Sequence, residues 1–198
     1  MHHWQGQDKK AMVKGRWSGL RLVAGFVVSI LAGASVLQPT APAETNGSVE
    51  LHVKAAYLFN FGRYVSWPQQ AGDVVIGVVG HDPIVEVLVK TISGKTINGR
   101  TYRVKVFEPA EQVDHCDILF LPHSASVHAQ SVLAAVAGKP ILTVSDLESF
   151  SNEGGMIEFL LIDDTLKFDI NLGAAEKSGL KLSSELLRVA HDIKGRRR

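Results

Sequence analysis

The spacing of apolar residues changes several times along this chain, and each change marks an element. Over residues 49–65, Leu51, Ala55, Leu58, Phe59 and Val65 fall near one helical face, and Trp67-Pro68 follows at once. That spacing predicts an amphipathic helix stopped by proline. Residues 74–79 (VVIGVV) form a nearly continuous β-branched run, the mark of a central strand covered on both faces. Asp82 and Pro83 supply an N-cap and a first-turn proline for a helix whose inward stripe is Ile84, Val85, Leu88 and Ile92, closed by Gly94. After a turn at Asn98-Gly99, Tyr102, Val104 and Val106 alternate with Thr101, Arg103 and Lys105. A strand with one wet face belongs near a sheet edge. Residues 117–121 (DILFL) read as another buried strand. Ser124 is placed to cap a helix that turns Ala125, Ala129, Val132, Leu133 and Val136 inward and ends at Gly138, and residues 141–144 make one more buried strand.

The C-terminal part follows a different pattern. Residues 156–162 and 166–171 flank Asp163-Asp164, as an antiparallel hairpin does. Its period of two sends Leu166, Phe168 and Ile170 to one side, predicted to be core, and Lys167, Asp169 and Asn171 to the other. A short helix is expected over 172–177, broken by Gly179, and Ser183 is placed to cap a last helix carrying Leu186, Leu187, Ala190 and Ile193 on one side. Together these elements predict a single Rossmann-like α/β domain with a mixed, mainly parallel sheet, a C-terminal β-hairpin and flanking helices. No repeat, linker or low-complexity stretch divides residues 48–194.

Ahead of this domain, Lys9, Lys10, Lys14, Arg16 and Arg21 precede an uncharged run over 22–37. A basic segment before a short apolar one has the form of a secretory signal, and Ala41-Pro42-Ala43 offers the small-residue cleavage pattern. Residues 1–43 are therefore expected to be a cleaved signal peptide and residues 44–198 the exported, periplasmic domain, with Met12 an alternative start to Met1. The run is short and rich in Gly, Ala and Ser for a membrane span, which needs about 20 apolar residues. An uncleaved anchor is the competing reading.

Setting the leader aside changes the charge. The whole chain has 21 Lys and Arg against 20 Asp and Glu, whereas residues 44–198 have 16 against 19, a net charge of −3. Three of the 16 are Arg196, Arg197 and Arg198, a solvated tail. Nucleic-acid binding, which needs a basic surface to displace counterions from phosphates, is not expected. Cys116 is the single cysteine, so no intrachain disulfide can form and the fold rests on its packed core. Its place beside the apolar run over 118–121 reads as a buried thiol.

Chemistry of a specific kind is sparse. Gly77 and Gly80, between a strand and a capped helix, place a candidate ligand crevice at the C-terminal strand ends, near Gly80, His81, Asp82, His123 and Ser124. The full glycine fingerprint of a dinucleotide site is missing. The histidines lack metal-ligand spacing, and His115, Cys116 and His123, the nearest approach, would not converge from a strand. No metal or cofactor is expected. Ser145-Asp146 lacks the glycine elbow and an evident histidine base of a hydrolase, so catalysis is the weaker class beside protein binding and small-ligand sensing.

Four stretches taken together are specific: KAAYLFNF over 54–61 running to VSWP over 65–68; CDILFL over 116–121; GGMIEF over 154–159; and KFDINL over 167–172 followed by Leu180, Leu182, Ser183, Ser184, Leu186 and Leu187. In order and spacing the chain resembles the YfiR family of periplasmic regulators over nearly all of residues 48–192. That resemblance implies a non-catalytic repressor that binds the periplasmic domain of an inner-membrane diguanylate cyclase, lowers cyclic di-GMP and biofilm output, and is itself sequestered by an outer-membrane lipoprotein. The best-known members carry disulfide-forming cysteines, and this chain, with Cys116 alone, departs from them. Its oligomeric state, a homodimer included, stays open. A repressor must prefer the cyclase's inactive arrangement, by about 10⁴-fold for a near-complete switch. Residues 146–155 (DLESFSNEGG) have no strong element of their own, and Asp146, Glu148, Phe150 and Asn152 are the candidate partner-binding residues. Phe150 has two readings, an exposed anchor or a plug beneath its loop.

Overall fold

The computed structural model describes residues 46–69, 72–108 and 113–195. The expected leader over 1–43, its cleavage after Ala43, the alternative start at Met12 and the arginine tail at 196–198 lie outside the described residues. The chain opens with helix α1 (Asn46–Tyr64), which passes directly into the two-residue strand β1 (Val65–Ser66). Strand β2 (Val74–Val79), helix α2 (Ile84–Ile92), the short β3 (Thr96–Ile97) and β4 (Arg100–Phe107) follow. Next come β5 (Ile118–Leu121), a 3-10 helix over His123–His128, helix α3 (Ala129–Val136) and β6 (Leu142–Ser145). The hairpin β7 (Ile157–Ile162) and β8 (Thr165–Asn171) leads to α4 (Leu172–Lys177), β9 (Lys181–Leu182), α5 (Ser184–Val189) and β10 (Asp192–Lys194).

Eight of the strands form one sheet in the order β10-β8-β7-β6-β5-β2-β4-β3. The β7–β8 and β3–β4 pairs are antiparallel and the other five are parallel. This is the mixed, mainly parallel α/β sheet expected. Both hairpins turn on paired left-handed residues, Asn98 and Gly99 at φ 53° and 76°, and Asp163 and Asp164 at φ 48° and 56°. Such turns match the right-handed strand twist, which is why Asn-Gly and Asp-Asp stand there. β1 and β9 form a separate two-stranded pair in which Val65 faces Leu182.

The two faces of the sheet carry separate cores. On one, Ile76, Val78, Ile118, Phe120, Val144, Phe168 and Ile170 meet α1, α2, α4 and α5. Tyr57 and Phe61 of α1 lie edge-on to Phe168 at 5.4 and 5.5 Å between ring centroids, and Phe61 stacks on Phe159 at 6.1 Å. Each such pair adds about 0.5–1.5 kcal/mol beyond its buried area. On the other face, Val79, Phe107, Leu119 and Leu121 meet α3 and Phe150.

Several local expectations hold. The Asp82 carboxylate accepts from the Ile84 N–H at 3.0 Å, and Ser183 accepts from the Leu186 N–H at 3.2 Å, so both cap their helices. Leu166, Phe168 and Ile170 are all core. Others need correction. Ser124 caps nothing: its hydroxyl donates to Asp82, and the chain beyond Pro122 tightens into the 3-10 helix before α3 begins. The last helix ends at Val189, and Ile193 lies in β10, paired in parallel with β8. Opposite the hairpin's core side, Asp169 is itself buried, because β10 runs alongside it and His191 and Lys194 turn to its carboxylate.

Candidate functional site

At the C-terminal strand ends, the loops after β2 and β5 meet. Gly80, in the left-handed region at φ 74°, turns the chain while its N–H donates to the Phe107 carbonyl at 3.1 Å. Beyond it, Asp82 faces two ways: Oδ1 accepts from Ile84 N–H, and Oδ2 accepts from the Ser124 hydroxyl at 2.8 Å. Of the five crevice residues expected, these two come together. His81 is exposed and turns to Glu108, and His123 is exposed. The N-terminus of α2, where a phosphate would sit on free amides, is thus occupied by the protein's own carboxylate.

The segment over 146–155 crosses the second face of the sheet between β6 and β7, and buried polar groups hold it there. Glu158 on β7, 3% exposed, accepts from the Ser149 and Ser151 amides at 2.8 and 3.0 Å and from the Ser151 hydroxyl at 2.5 Å. Asn171 donates to the Ser151 carbonyl, and Lys194 of β10 reaches the Ser151 hydroxyl at 2.8 Å and Asn152 Oδ1 at 2.9 Å. Three donors on one carboxylate make a charge-assisted clamp on a stretch with no helix or strand of its own. Phe150 is 1% exposed and packs into the α3-side core. It is the plug, and the exposed-anchor reading is corrected. A Cβ at Gly155 would lie 2.2 Å from the Phe150 ring, which is why Gly154-Gly155 precedes Met156.

The other candidates on this segment divide. Asp146 is drawn in by Lys54 of α1, whose ammonium, 7% exposed as a residue, meets Asp146 Oδ2 and Glu50 Oε1 at 2.6 Å each. Burial works to lower the Lys54 pKa, but the hydrogen bonds its ammonium donates to Asp146 and Glu50, with their negative charges, outweigh it, and the net shift is upward. Asp146 therefore fastens α1 to the end of β6. Ser145 is buried, its hydroxyl donating to the Leu121 carbonyl at 2.6 Å and accepting from the Leu147 N–H at 3.1 Å, so both residues of the hydrolase reading are taken up in structural contacts. Glu148 and Asn152 are exposed. Cys116 has its thiol pushed up to about 12 by burial and by nearby Asp117 and Asp114, so it stays protonated.

Sequence reasoning missed an apolar groove. Val49 and Val53, on successive turns of α1 and 52% and 37% exposed, converge with Leu161 of β7, 58% exposed, over Tyr57 and Leu166. The groove holds about 520 Å³ and is rimmed by Glu50 and Asp164. The same Lys54 ammonium binds Glu50 at this rim and Asp146 at the start of the segment carrying Glu148. The i, i+4 spacing of Val49 and Val53 is off the inward stripe, and that was the available signal. Among the described residues, no helix is long and apolar enough to cross a membrane. A family model described as YfiR/HmsC-like matches residues 51–191.

Proposed function

The chain belongs to the YfiR/HmsC-like family, and from that premise we propose that it is a non-catalytic periplasmic regulator of a membrane diguanylate cyclase. The family match over nearly the whole described domain is the observation that carries this reading. In it, the chain is exported with a cleaved signal peptide, binds the cyclase's periplasmic domain and holds the enzyme inactive, and an outer-membrane lipoprotein competes for it. The groove of Val49, Val53 and Leu161 with its acidic rim supports a contact surface, since exposed aliphatic side chains gathered within a polar rim favour protein association. The cyclase would supply aliphatic side chains flanked by Lys or Arg. Glu148 and Asn152, exposed on the segment over 146–155 and outside that groove, are a separate candidate contact.

The test is genetic and biochemical. Deleting the gene raises cyclic di-GMP, and the exported chain restores the low level. Leu161→Asp and Val53→Asp, which place a charge in the groove, weaken inhibition of the purified cyclase while leaving the melting temperature close to wild type. A form lacking residues 1–43 that represses from the cytoplasm would overturn the location, and groove variants that repress fully would overturn the surface.

A further inference from the structure

At the opposite end of the molecule from the hairpin, β4 pairs with β2 along Tyr102–Phe107, but its outer neighbour β3 covers only Arg100 and Thr101. Among the described residues, no strand pairs with the outer edge of β4 from Tyr102 to Phe107. The Phe107 carbonyl accepts from Gly80 on the β2 side, so alternation turns the N–H and C=O groups of Val104 and Val106 outward. Beside this edge runs a groove of about 500 Å³, lined by Val89, Ile92, Tyr102 and Val104, with Val89 51% exposed. The other face of the edge presents Arg103 and Lys105, both exposed, in surface ion pairs with Asp73 and Asp114. Lys90 and Lys95 stand exposed along the α2 side.

We propose that the outer edge of β4 accepts an extended segment of a partner protein as an added strand, one that alternates aliphatic with acidic residues. A strand laid there completes the backbone hydrogen bonds of Val104 and Val106. Its period of two sends every other side chain into the groove beside Val89 and the rest toward Arg103 and Lys105, where Asp or Glu replaces the exposed and weakly held pairs with Asp73 and Asp114. A second copy of this chain is the poorer occupant. In an antiparallel pairing centred on Val104, Arg103 faces the copy's Lys105, and like charges directly opposite repel.

The experiment uses the purified full chain and two soluble hexapeptides, alternating Val with Glu or Val with Lys, read by fluorescence anisotropy and by amide hydrogen exchange. The Glu peptide binds saturably, slows exchange at Val104 and Val106, and binds roughly tenfold tighter than the Lys peptide, the combined effect of two exposed charge contacts. Arg103→Glu with Lys105→Glu reverses that order without touching the β2 ladder. Val106→Pro, which removes an outward N–H, abolishes binding; if this variant folds poorly, the charge reversal decides. Absence of saturable binding, equal binding of both peptides, or protection at the α1 groove in place of Val104 and Val106 would overturn the proposal.

Discussion

On one face of the sheet, helices lay Tyr57 and Phe61 against Phe159 and Phe168, and Phe159 in turn meets Phe120. On the other, beyond α3, the covering is a segment without regular structure, set by one aromatic plug and held by Glu158, Asn171 and Lys194. A helix satisfies its own backbone and needs only an apolar stripe to dock. An irregular segment brings unpaired amides to the sheet, and these must find partners there. Polar residues inside the sheet, Thr143, Ser145 and Glu158, which accept from the amides of Met156, Leu147, Ser149 and Ser151, are what the second kind of covering requires.

This contrast predicts a ranking of losses. Phe168→Ala removes a ring at the centre of the aromatic cluster and should cost about 3–5 kcal/mol. Phe150→Ala should fall in the same range, since the plug is as buried as Phe168. Urea denaturation of both measures this, and a Phe150→Ala variant as stable as wild type would break the equivalence of the two faces. Glu158→Gln should cost about 1–3 kcal/mol, because its amide NH₂ cannot accept from the Ser151 donors that the carboxylate now serves. Hydrogen exchange should then speed up at Ser149 and Ser151 while the α1 amides stay protected. Gly155→Ala pushes a methyl into the Phe150 ring and should cost about 1–3 kcal/mol, read from the shift in denaturation midpoint.

A smaller effect lies in alkaline solution. Burial pushes Tyr102 from 10.0 to about 12 and Cys116 from 9.0 to about 12, and Lys54 is also raised. Each folded-state value lies above the unfolded one, so the folded chain holds more protons and stability falls as pH rises. The fall should run from about pH 9 to 12. Cys116→Ser should flatten its early part in a pH series of thermal melts. The smallest change in stability is expected at Glu148→Lys, within about 0.5 kcal/mol of wild type because its side chain is exposed. Weakened cyclase repression by that variant would place Glu148 in the contact surface.

What could be read in advance follows the same division. The succession of helices and strands along the chain, the near-edge place of β4 and the caps at Asp82 and Ser183 are legible because period, turn chemistry and capping are local. The plug was ambiguous because a lone Phe among polar residues has no period to align it. Glu158 reads as an ordinary strand residue until the segment it clamps is seen across the sheet, and the α1 groove depends on where the β7–β8 hairpin comes to rest. Ile193 continues a helical spacing from Leu186, so the sequence pattern extends the last helix over β10, while the pairing that claims Ile193 lies on β8.

The docking of α1 on the β7–β8 hairpin joins the start of the domain to its end, and this sets an order on assembly. A chain made from its N-terminus completes α1 first, yet Phe159 and Phe168, which cover Tyr57 and Phe61, arrive almost last. Closing so long a loop is slow, and until then the aromatic side of α1 faces solvent or whatever holds it. A chain stopped before β8 therefore lacks Phe168, one of the two rings that cover Tyr57 and Phe61.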